Sequence, residues 1–248
     1  MTFGSPLYRY DTVGSTQDVA RDLARAGEPP GTVVTAQAQR TGRGRRGKTW
    51  QFPRGANVCL TTIGPAVPLE SAWQIALLAG LAAAEGVRDA APEAAVKVRF
   101  PNDVFLAGGK LGGILVETLP AGAVGFVIPL IGVGINVKAD VPLPLEIARS
   151  AVSLEAGVGR VVEVRTVEAA VLKRLGARWE EWENDGFAAT ATAWKRLADP
   201  DALRTFIVAD KPLPCRVLEI APGGEVTLEA RGGERHQILA SQILFGDD

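Results

Sequence analysis

The chain has 248 residues and a mass of 26.1 kDa, which is long enough for one large domain or for a domain with a small companion. Hydrophobic residues make up 47% of the sequence and charged residues 22%, a balance that excludes an intrinsically disordered protein. The 27 basic and 28 acidic residues leave a net charge of -1, so the overall charge does not draw the chain to nucleic acid or to an anionic membrane.

The rare residue types narrow the chemistry. Cys59 and Cys215 lie far apart and form neither a disulfide framework nor a metal-binding pair, which indicates a cytoplasmic protein. With His236 as the one histidine, a zinc site built on several histidines or a Ser-His-Asp triad is disfavoured. No secretory signal is expected, and the uncharged stretch 121–137 is broken by glycines and a proline, which predicts two buried strands and no membrane span.

The sequence predicts an α+β protein with a mixed sheet flanked by helices. A strand at 7–13 and a strand at 32–36 enclose a helix that Ser15 or Thr16 can cap. The further predicted elements are strands at 56–63, 96–100 and 125–137, a hairpin of 104–106 with 111–118, a helix at 70–86 ending at Gly86, and helices at 167–183 and 188–197.

From about residue 205 the pattern changes to short strands at 215–220, 225–230 and 236–240 that alternate with glycine turns. This pattern is typical of a small all-β module. We therefore predict a catalytic domain at 1–204 and a small β domain at 205–248.

The segment 42–48 combines three glycines with four basic residues, which predicts an irregular, solvated and mobile loop. It matches both the Walker A and the Rossmann glycine patterns, yet Pro53 and Gly55 follow where either motif requires a helix. A P-loop is therefore disfavoured. The residue types still suit an anion, because guanidinium groups bind phosphate oxygens and glycine lets the backbone approach. A solvated surface or a weak nucleic-acid patch is the alternative.

Three further segments place polar residues at glycine-marked strand ends. Asn102 and Asp103 follow a strand and either meet a ligand or Mg²⁺ or form an Asx turn. Lys110 begins an apolar strand, so its ammonium group either reaches solvent or pairs with an anion. Gly112 and Gly113, which follow it, favour the close approach of a ligand. Asn136 ends a third strand of this kind.

Five of these segments, in this order, resemble the motifs of the bacterial biotin protein ligases. In the sequence they are Ser15-Thr16-Gln17, the loop 42–47 with Trp50, Arg99-Phe100-Pro101-Asn102-Asp103, the strand 110–117 and Gly132-Val133-Gly134-Ile135-Asn136. The resemblance covers most of residues 7–137. It implies the fold shared by class II synthetases and biotin and lipoate ligases, with a small SH3-like β-barrel at the C-terminus.

The resemblance also implies a two-step reaction. Biotin and ATP with Mg²⁺ form biotinyl-5′-adenylate, and a lysine of a biotin carboxyl carrier protein then takes the biotinyl group. Position by position, the resemblance assigns biotin, nucleotide or loop-closure roles to Ser15, Thr16, Gln17, Gln39, Gly42, Arg43, Gly44, Arg45, Arg46, Trp50, Asn102, Lys110, Gly112, Gly113 and Asn136, a metal-binding role to Asp103, and catalytic roles to Lys110 and Arg45.

Two departures from the family pattern stand out. Gln17 replaces an asparagine, and its longer side chain could shift the biotin ring. Phe100 replaces a tryptophan and keeps an apolar wall. The sequence starts at the catalytic region, so we expect the monofunctional class without DNA binding, while dimerisation stays open.

A lipoate ligase or octanoyltransferase is the nearest alternative function, followed by a P-loop NTPase and a nucleic-acid-binding protein. The arginine-rich loop favours biotin over a linear acyl chain.

Overall fold

This computed structural model of the chain describes residues 2–50, 53–139, 150–208 and 211–240. Among these residues, eight strands form the larger sheet. They are β1 (Leu7–Val13), β2 (Val33–Gln39), β3 (Asn57–Ile63), β4 (Val67–Pro68), β5 (Lys97–Arg99), β6 (Asp103–Leu106), β7 (Gly109–Pro120) and β8 (Phe126–Asn136). The helices are α1 (Thr16–Arg25), α2 (Ala72–Ala90), α3 (Leu154–Val158), α4 (Val164–Asp185) and α5 (Phe187–Leu197).

The strand order is β1-β2-β3-β8-β7-β6-β5, with β4 paired to β8. Only the β1–β2 pair is parallel among these described pairings, so the sheet is mixed and the predicted α+β class is confirmed. Because side chains alternate across a strand, one face of the sheet packs in the main core and the opposite face is left for α1 and a ligand cavity.

Helix α1 begins where the sequence predicts it. The Ser15 side chain accepts a hydrogen bond from the Gln17 backbone N–H and caps the helix. Below the helix a small core of Ala20, Val34, Ile63, Leu119 and Leu130 holds it against the sheet. This packing fixes the cap and the first turn of α1, where the predicted site residues Ser15, Thr16 and Gln17 lie.

Helices α2 and α4 cover the other face of the sheet and enclose the main core. The prediction that α2 ends at Gly86 is wrong, because the helix continues to Ala90. A Cβ at Gly86 would lie 2.6 Å from Cα of Val171 in α4. The glycine therefore allows two helices to pack closely and does not mark a helix end.

Two other details differ from the prediction. The stretch 121–137 contains one strand, β8, and a turn before it, where two strands were expected. The predicted hairpin exists but its turn is tight, with Ala107 and Gly108 both at positive φ between β6 and β7. A two-residue turn needs such dihedrals at both positions to match the twist of the strands.

The C-terminal strands β9 (Arg204–Val208), β10 (Lys211–Ile220), β11 (Glu225–Ala230) and β12 (Arg235–Leu239) form a separate antiparallel sheet in the order β12-β11-β10-β9. This confirms a small β module, although the described residues show a four-stranded sheet and not the closed barrel that was expected. Phe206 of this sheet packs on Phe100, with ring centroids 6.4 Å apart. The division of the chain after residue 204 stays a prediction.

No helix within the described ranges is long and apolar enough to cross a bilayer.

Candidate active site

A cavity of about 270 Å³ lies on the α1 side of the larger sheet. Its floor comes from three adjacent strands, because Cys59 and Thr61 of β3 pair with Gly134 and Gly132 of β8. On the other side of β8, residues of β7 pair with the same two glycines. We call this space the first cavity.

Glycine in β8 makes room for two covering side chains. A Cβ at Gly132 would lie 2.6 Å from Nε2 of Gln17, and a Cβ at Gly134 would lie 2.6 Å from Cε2 of Trp50. Asn136 lies two residues further along the same face. At about 3.4 Å per residue, the strand from Gly132 to Asn136 spans about 14 Å.

One end of the first cavity, the neutral end, is formed by uncharged polar side chains. The Thr16 backbone N–H and hydroxyl donate to Oε1 of Gln39 over 2.7 and 3.0 Å. The Thr61 hydroxyl donates to the Thr16 oxygen over 2.8 Å. Ser15 also lines this end, and its oxygen already accepts from the α1 backbone. The orientations of Gln39 and Ser15 are therefore fixed before a ligand arrives.

Gln17 occupies the floor of the neutral end. Its Nε2 donates to the carbonyl of Leu115 over 2.9 Å. Its Oε1 is buried and has no hydrogen-bond partner among the described residues. A buried acceptor without a partner is costly, so this oxygen is suited to receive a donor from a ligand.

The glycine-arginine loop closes over the cavity. The Trp50 N–H donates to the Gly42 carbonyl, and a short 3₁₀ turn at Arg45–Gly47 replaces the fully irregular loop that was expected. A Cβ at Gly42 would lie 2.3 Å from the Trp50 carbonyl oxygen, so only glycine fits there. The loop brings Trp50 and Gly44 to the cavity wall.

The arginines of the loop have different partners. Arg43 donates to both carboxylate oxygens of Asp18 over 2.8 and 2.9 Å and also pairs with Glu117. Arg45 donates to Oδ1 of Asn102 over 3.1 Å. The side chain of Arg46 lies outside the described set. Arg43 thus ties the loop to α1 and β7, while Arg45 extends to the strand end of β6.

The other end of the first cavity, the charged end, centres on Asp103. Nζ of Lys110 lies 2.7 Å from one carboxylate oxygen, and the Arg204 guanidinium lies 3.2 Å from the other. Arg204 also donates to the Phe100 carbonyl over 2.7 Å. Two cations therefore face one carboxylate here, an arrangement that is suited to an anionic ligand.

Two buried asparagines, Asn102 and Asn136, complete this part of the cavity. Asn57 donates to Oδ1 of Asn136 over 2.7 Å, and Asn136 in turn donates to the Val152 carbonyl over 3.3 Å. Asn102 donates to the Ile114 carbonyl. These bonds hold the amides of Asn102 and Asn136 at the cavity wall, where a heterocyclic base can meet them.

A buried thiol also lines the first cavity. Burial raises the pKa of Cys59 to about 12, and the hydrogen bond with Thr16 opposes this only in part. The thiol is therefore neutral at physiological pH and adds an uncharged surface to the floor.

The first cavity gathers most of the predicted site residues. Those that line it are Ser15, Thr16, Gln17, Gln39, Arg43, Gly44, Arg45, Trp50, Asn102, Asp103, Lys110, Gly113 and Asn136. Gly42 and Gly112 support the wall instead, since a Cβ at Gly112 would lie 2.6 Å from the Gly134 carbonyl oxygen. What each residue binds stays a prediction.

Sequence reasoning missed Arg204 and Thr61, both of which line the first cavity. Thr61 could have been found from the alternation of β3, which places it on the same face as Cys59. Nothing local in the sequence indicates Arg204, because it enters the cavity from the C-terminal sheet.

Comparison with known sequences agrees with this architecture. The model of the biotin/lipoate A/B protein ligase family matches residues 11–136. The chain is 30% identical over 221 residues to the biotin--[acetyl-CoA-carboxylase] ligase of Paracoccus denitrificans, covering 86% of this chain and 90% of that protein. It is 32% identical over 232 residues to the ligase of that name from Mycobacterium tuberculosis, covering 90% and 78%.

Longer relatives match over part of their length. The chain is 32% identical over 197 residues to the bifunctional ligase/repressor BirA of Bacillus subtilis, and the aligned region covers 79% of this chain. The chain spans 60% of that protein and 54% of BirA of Escherichia coli.

Solved structures share the fold. The biotin protein ligase from Aquifex aeolicus in complex with biotin and ATP superposes with a TM-score of 0.78 at 22% identity, covering 98% of this chain and 99% of that one. The Leishmania major enzyme in complex with biotinyl-5-AMP gives a TM-score of 0.63 at 23% identity, covering 94% and 98%. Because the family model matches residues 11–136 and relatives at 30% identity or more extend over most of the sequence, the chain belongs to the biotin/lipoate A/B protein ligase family.

Proposed function

We propose that the protein activates biotin with ATP as biotinyl-5′-adenylate and transfers the biotinyl group to a lysine of a biotin carboxyl carrier protein. The observation that carries this proposal is a cavity with a cationic centre at one end and Gln17 at the other, whose buried Oε1 has no hydrogen-bond partner among the described residues. Biotin has a cyclic urea at one end and a carboxylate at the other, so its two polar groups match the two ends of the cavity.

The neutral end offers hydrogen-bond donors for the carbonyl of a cyclic urea and an acceptor for its N–H. The oxygens of Gln39 and Ser15 already accept hydrogen bonds from the protein, so these residues have N–H and O–H donors left for a ligand carbonyl. Gln17 offers an acceptor for a ligand N–H. A dithiolane ring or an alkyl chain has no N–H and would leave that oxygen buried without a partner, so the lipoate and octanoate alternatives fit less well.

The charged end suits the first chemical step. A carboxylate oxygen of biotin attacks the α-phosphorus of ATP, and the bond to pyrophosphate breaks. The step brings anions together, so it needs positive charge and alignment and no side-chain nucleophile. In this proposal, Lys110 and Arg45 supply that charge and Asn102 and Asn136 hold the nucleotide, which is supported by the fact that all four line the first cavity.

The described residues that line the first cavity offer too few acidic side chains to bind the expected Mg²⁺ by themselves. Asp103 is the one acidic side chain among the described residues that line the first cavity, and both of its oxygens face cations. No group of three His, Cys, Asp or Glu residues that could hold a metal occurs in the described ranges. These residues do not fit a protein-built magnesium site, while phosphate oxygens of ATP commonly hold this ion.

The acceptor follows from the relatives' names. Biotin--[acetyl-CoA-carboxylase] ligases support the carrier domain of such a carboxylase as the biotinylated partner. Two buried free thiols, Cys59 and Cys215, are compatible with a reducing cytoplasm. Dimerisation and the absence of DNA binding stay predictions.

Biotin-dependent exchange of labelled pyrophosphate into ATP tests the proposal. We expect exchange with biotin and little with lipoate or octanoate at the same concentration. Mass spectrometry of a carrier domain should then show one added biotinyl group. Exchange that proceeds equally well with lipoate, or ATP hydrolysis that needs no acyl substrate, would refute the proposal.

A further inference from the structure

A second cavity of about 430 Å³ adjoins the first. The two cavities share four lining residues, Arg45, Asn102, Ile114 and Leu115. The first cavity lies on the α1 side of β7 and the second on the α2 side, and the two approach each other at Arg45 and Asn102, close to the charged end. Under the proposed function, the carboxylate of biotin is activated at this end.

The second cavity has mostly apolar and aromatic walls. Ala72, Trp73 and Ala76 come from the start of α2, and Phe100 lies before β6. Trp73 packs edge-on against Phe187 at 4.8 Å, and Phe100 packs edge-on against Trp194 at 6.1 Å. These contacts hold the two aromatic side chains of the walls in place.

The second cavity reaches the protein surface. Thr118, on its rim, is exposed, and Ala240 of the C-terminal segment also lines it. None of its described lining residues is acidic. A ligand that enters here therefore finds apolar contacts along the path and a guanidinium at the inner end.

We propose that the second cavity admits the acceptor lysine of the carrier protein to the biotinyl adenylate. This inference rests on the proposed function, in which the adenylate occupies the first cavity. The lysine must then reach the same carbonyl by another path, and the second cavity shares Arg45 and Asn102 with the first as lining residues. The four-carbon stem of lysine is apolar, as are the walls.

The lining also favours the reactive form of lysine. Removal from water and the nearby Arg45 cation both lower the pKa of an incoming ammonium group, and none of the described lining residues carries a carboxylate that would oppose this. The neutral amine then attacks the biotinyl carbonyl and forms the C–N bond. The C–O bond to AMP breaks, its electron pair leaves with AMP, and the nitrogen releases a proton to solvent.

Substitutions that fill the second cavity test whether it serves biotin transfer to the carrier and not adenylate formation. Ala76→Leu and Ala72→Leu each add bulk from α2, and Ala188→Leu adds the same bulk at an exposed position of α5 outside both cavities. The readouts are biotin-dependent pyrophosphate exchange, formation of biotinyl hydroxamate with hydroxylamine, and transfer to a carrier domain. Hydroxylamine is small enough to reach the adenylate without a channel for a lysine stem.

We expect exchange and hydroxamate formation to stay within about twofold of wild type, while kcat/KM for the carrier falls by about tenfold or more in both cavity variants. Unchanged carrier transfer would overturn the inference. Lost exchange with a raised KM for ATP would also overturn it, because the cavity would then hold nucleotide. Absence of exchange in the wild-type protein would instead refute the proposed function. Circular dichroism identifies a variant that fails to fold, in which case the other cavity variant decides.

Discussion

The two ends of the first cavity are held together by different forces. At the neutral end, Thr16, Gln39 and Thr61 form hydrogen bonds with one another and come from α1, β2 and β3. At the charged end, Asp103 and Lys110 come from the β6–β7 hairpin, and Arg204 comes from the C-terminal sheet. One end is thus an uncharged network within the larger sheet, and the other is an ionic cluster that joins two sheets.

This difference indicates how each end responds to conditions. Hydrogen bonds among uncharged groups do not titrate and are insensitive to salt, so the neutral end is a fixed template for ligand shape. Ion pairs weaken as salt screens them, so the charged end is sensitive to ionic strength. We therefore expect changes at the charged end to affect rate most strongly and changes at the neutral end to affect selectivity.

Lys110→Ala should have the largest effect. Under the proposed function, the substitution removes a cation from the site of developing negative charge, and loss of one such group commonly lowers kcat by about 10²–10³-fold. Pyrophosphate exchange at saturating biotin measures the loss. Lys138→Ala is the control, because Lys138 also pairs with a carboxylate, that of Glu155 at 3.0 Å, and is not among the residues that line the first cavity. Equal losses in both variants would show that the charged end has no special role.

Thr16→Val should raise KM for biotin by about tenfold and leave kcat nearly unchanged, because it removes a buried hydroxyl worth about 1 kcal/mol that orients Gln39. Thr62→Val is a matched control on β3, where the buried Thr62 hydroxyl donates to the Thr32 carbonyl away from the cavity. If the two variants have similar melting temperatures and only Thr16→Val has a higher KM for biotin, the neutral end determines the affinity for biotin, as proposed. A fall in kcat alone would contradict it.

The sequence indicated most residues of both ends and missed one at each, Thr61 at the neutral end and Arg204 at the charged end. Ser15 caps a helix, and the glycines of β8 leave space on one face of a strand, so local rules were enough to find them. Arg204 joins Asp103 across about a hundred residues, and only the packing of one sheet on the other brings them together. Local patterns contain no information on such a contact.

Gly86 illustrates the same limit in the fold. A glycine late in a helical pattern resembles a helix end, and the prediction followed that rule. The structure uses it for the close approach of α2 to Val171 of α4, a contact between distant segments. Strand and helix types were therefore predicted well, whereas the purpose of single glycines depended on the tertiary structure.

Asp18→Asn should have a smaller effect that depends on salt. Arg43 holds the loop to α1 through Asp18, but both side chains are partly exposed, so the pair contributes up to about 1 kcal/mol. We expect the adenylate to dissociate a few-fold faster in 20 mM salt, on the order of the effect of one exposed pair, and the difference to shrink in 500 mM salt. Asp11→Asn, which removes the Arg54 partner outside the cavity, controls for general charge effects. A difference that persists at high salt would argue against an ionic latch.

Cys59 provides the test with the smallest expected effect, since we expect no reaction. With a pKa of about 12, roughly one thiol in 10⁴ is ionised at pH 8, and iodoacetamide reacts with the thiolate. The folded protein should therefore stay unmodified at Cys59 while glutathione in the same tube is alkylated, and unfolding should expose the thiol. Peptide mass mapping distinguishes Cys59 from Cys215. Rapid alkylation of Cys59 in the folded protein would mean that water reaches the neutral end and that the thiol ionises there. The contrast drawn between the uncharged neutral end and the ionic charged end would then be wrong.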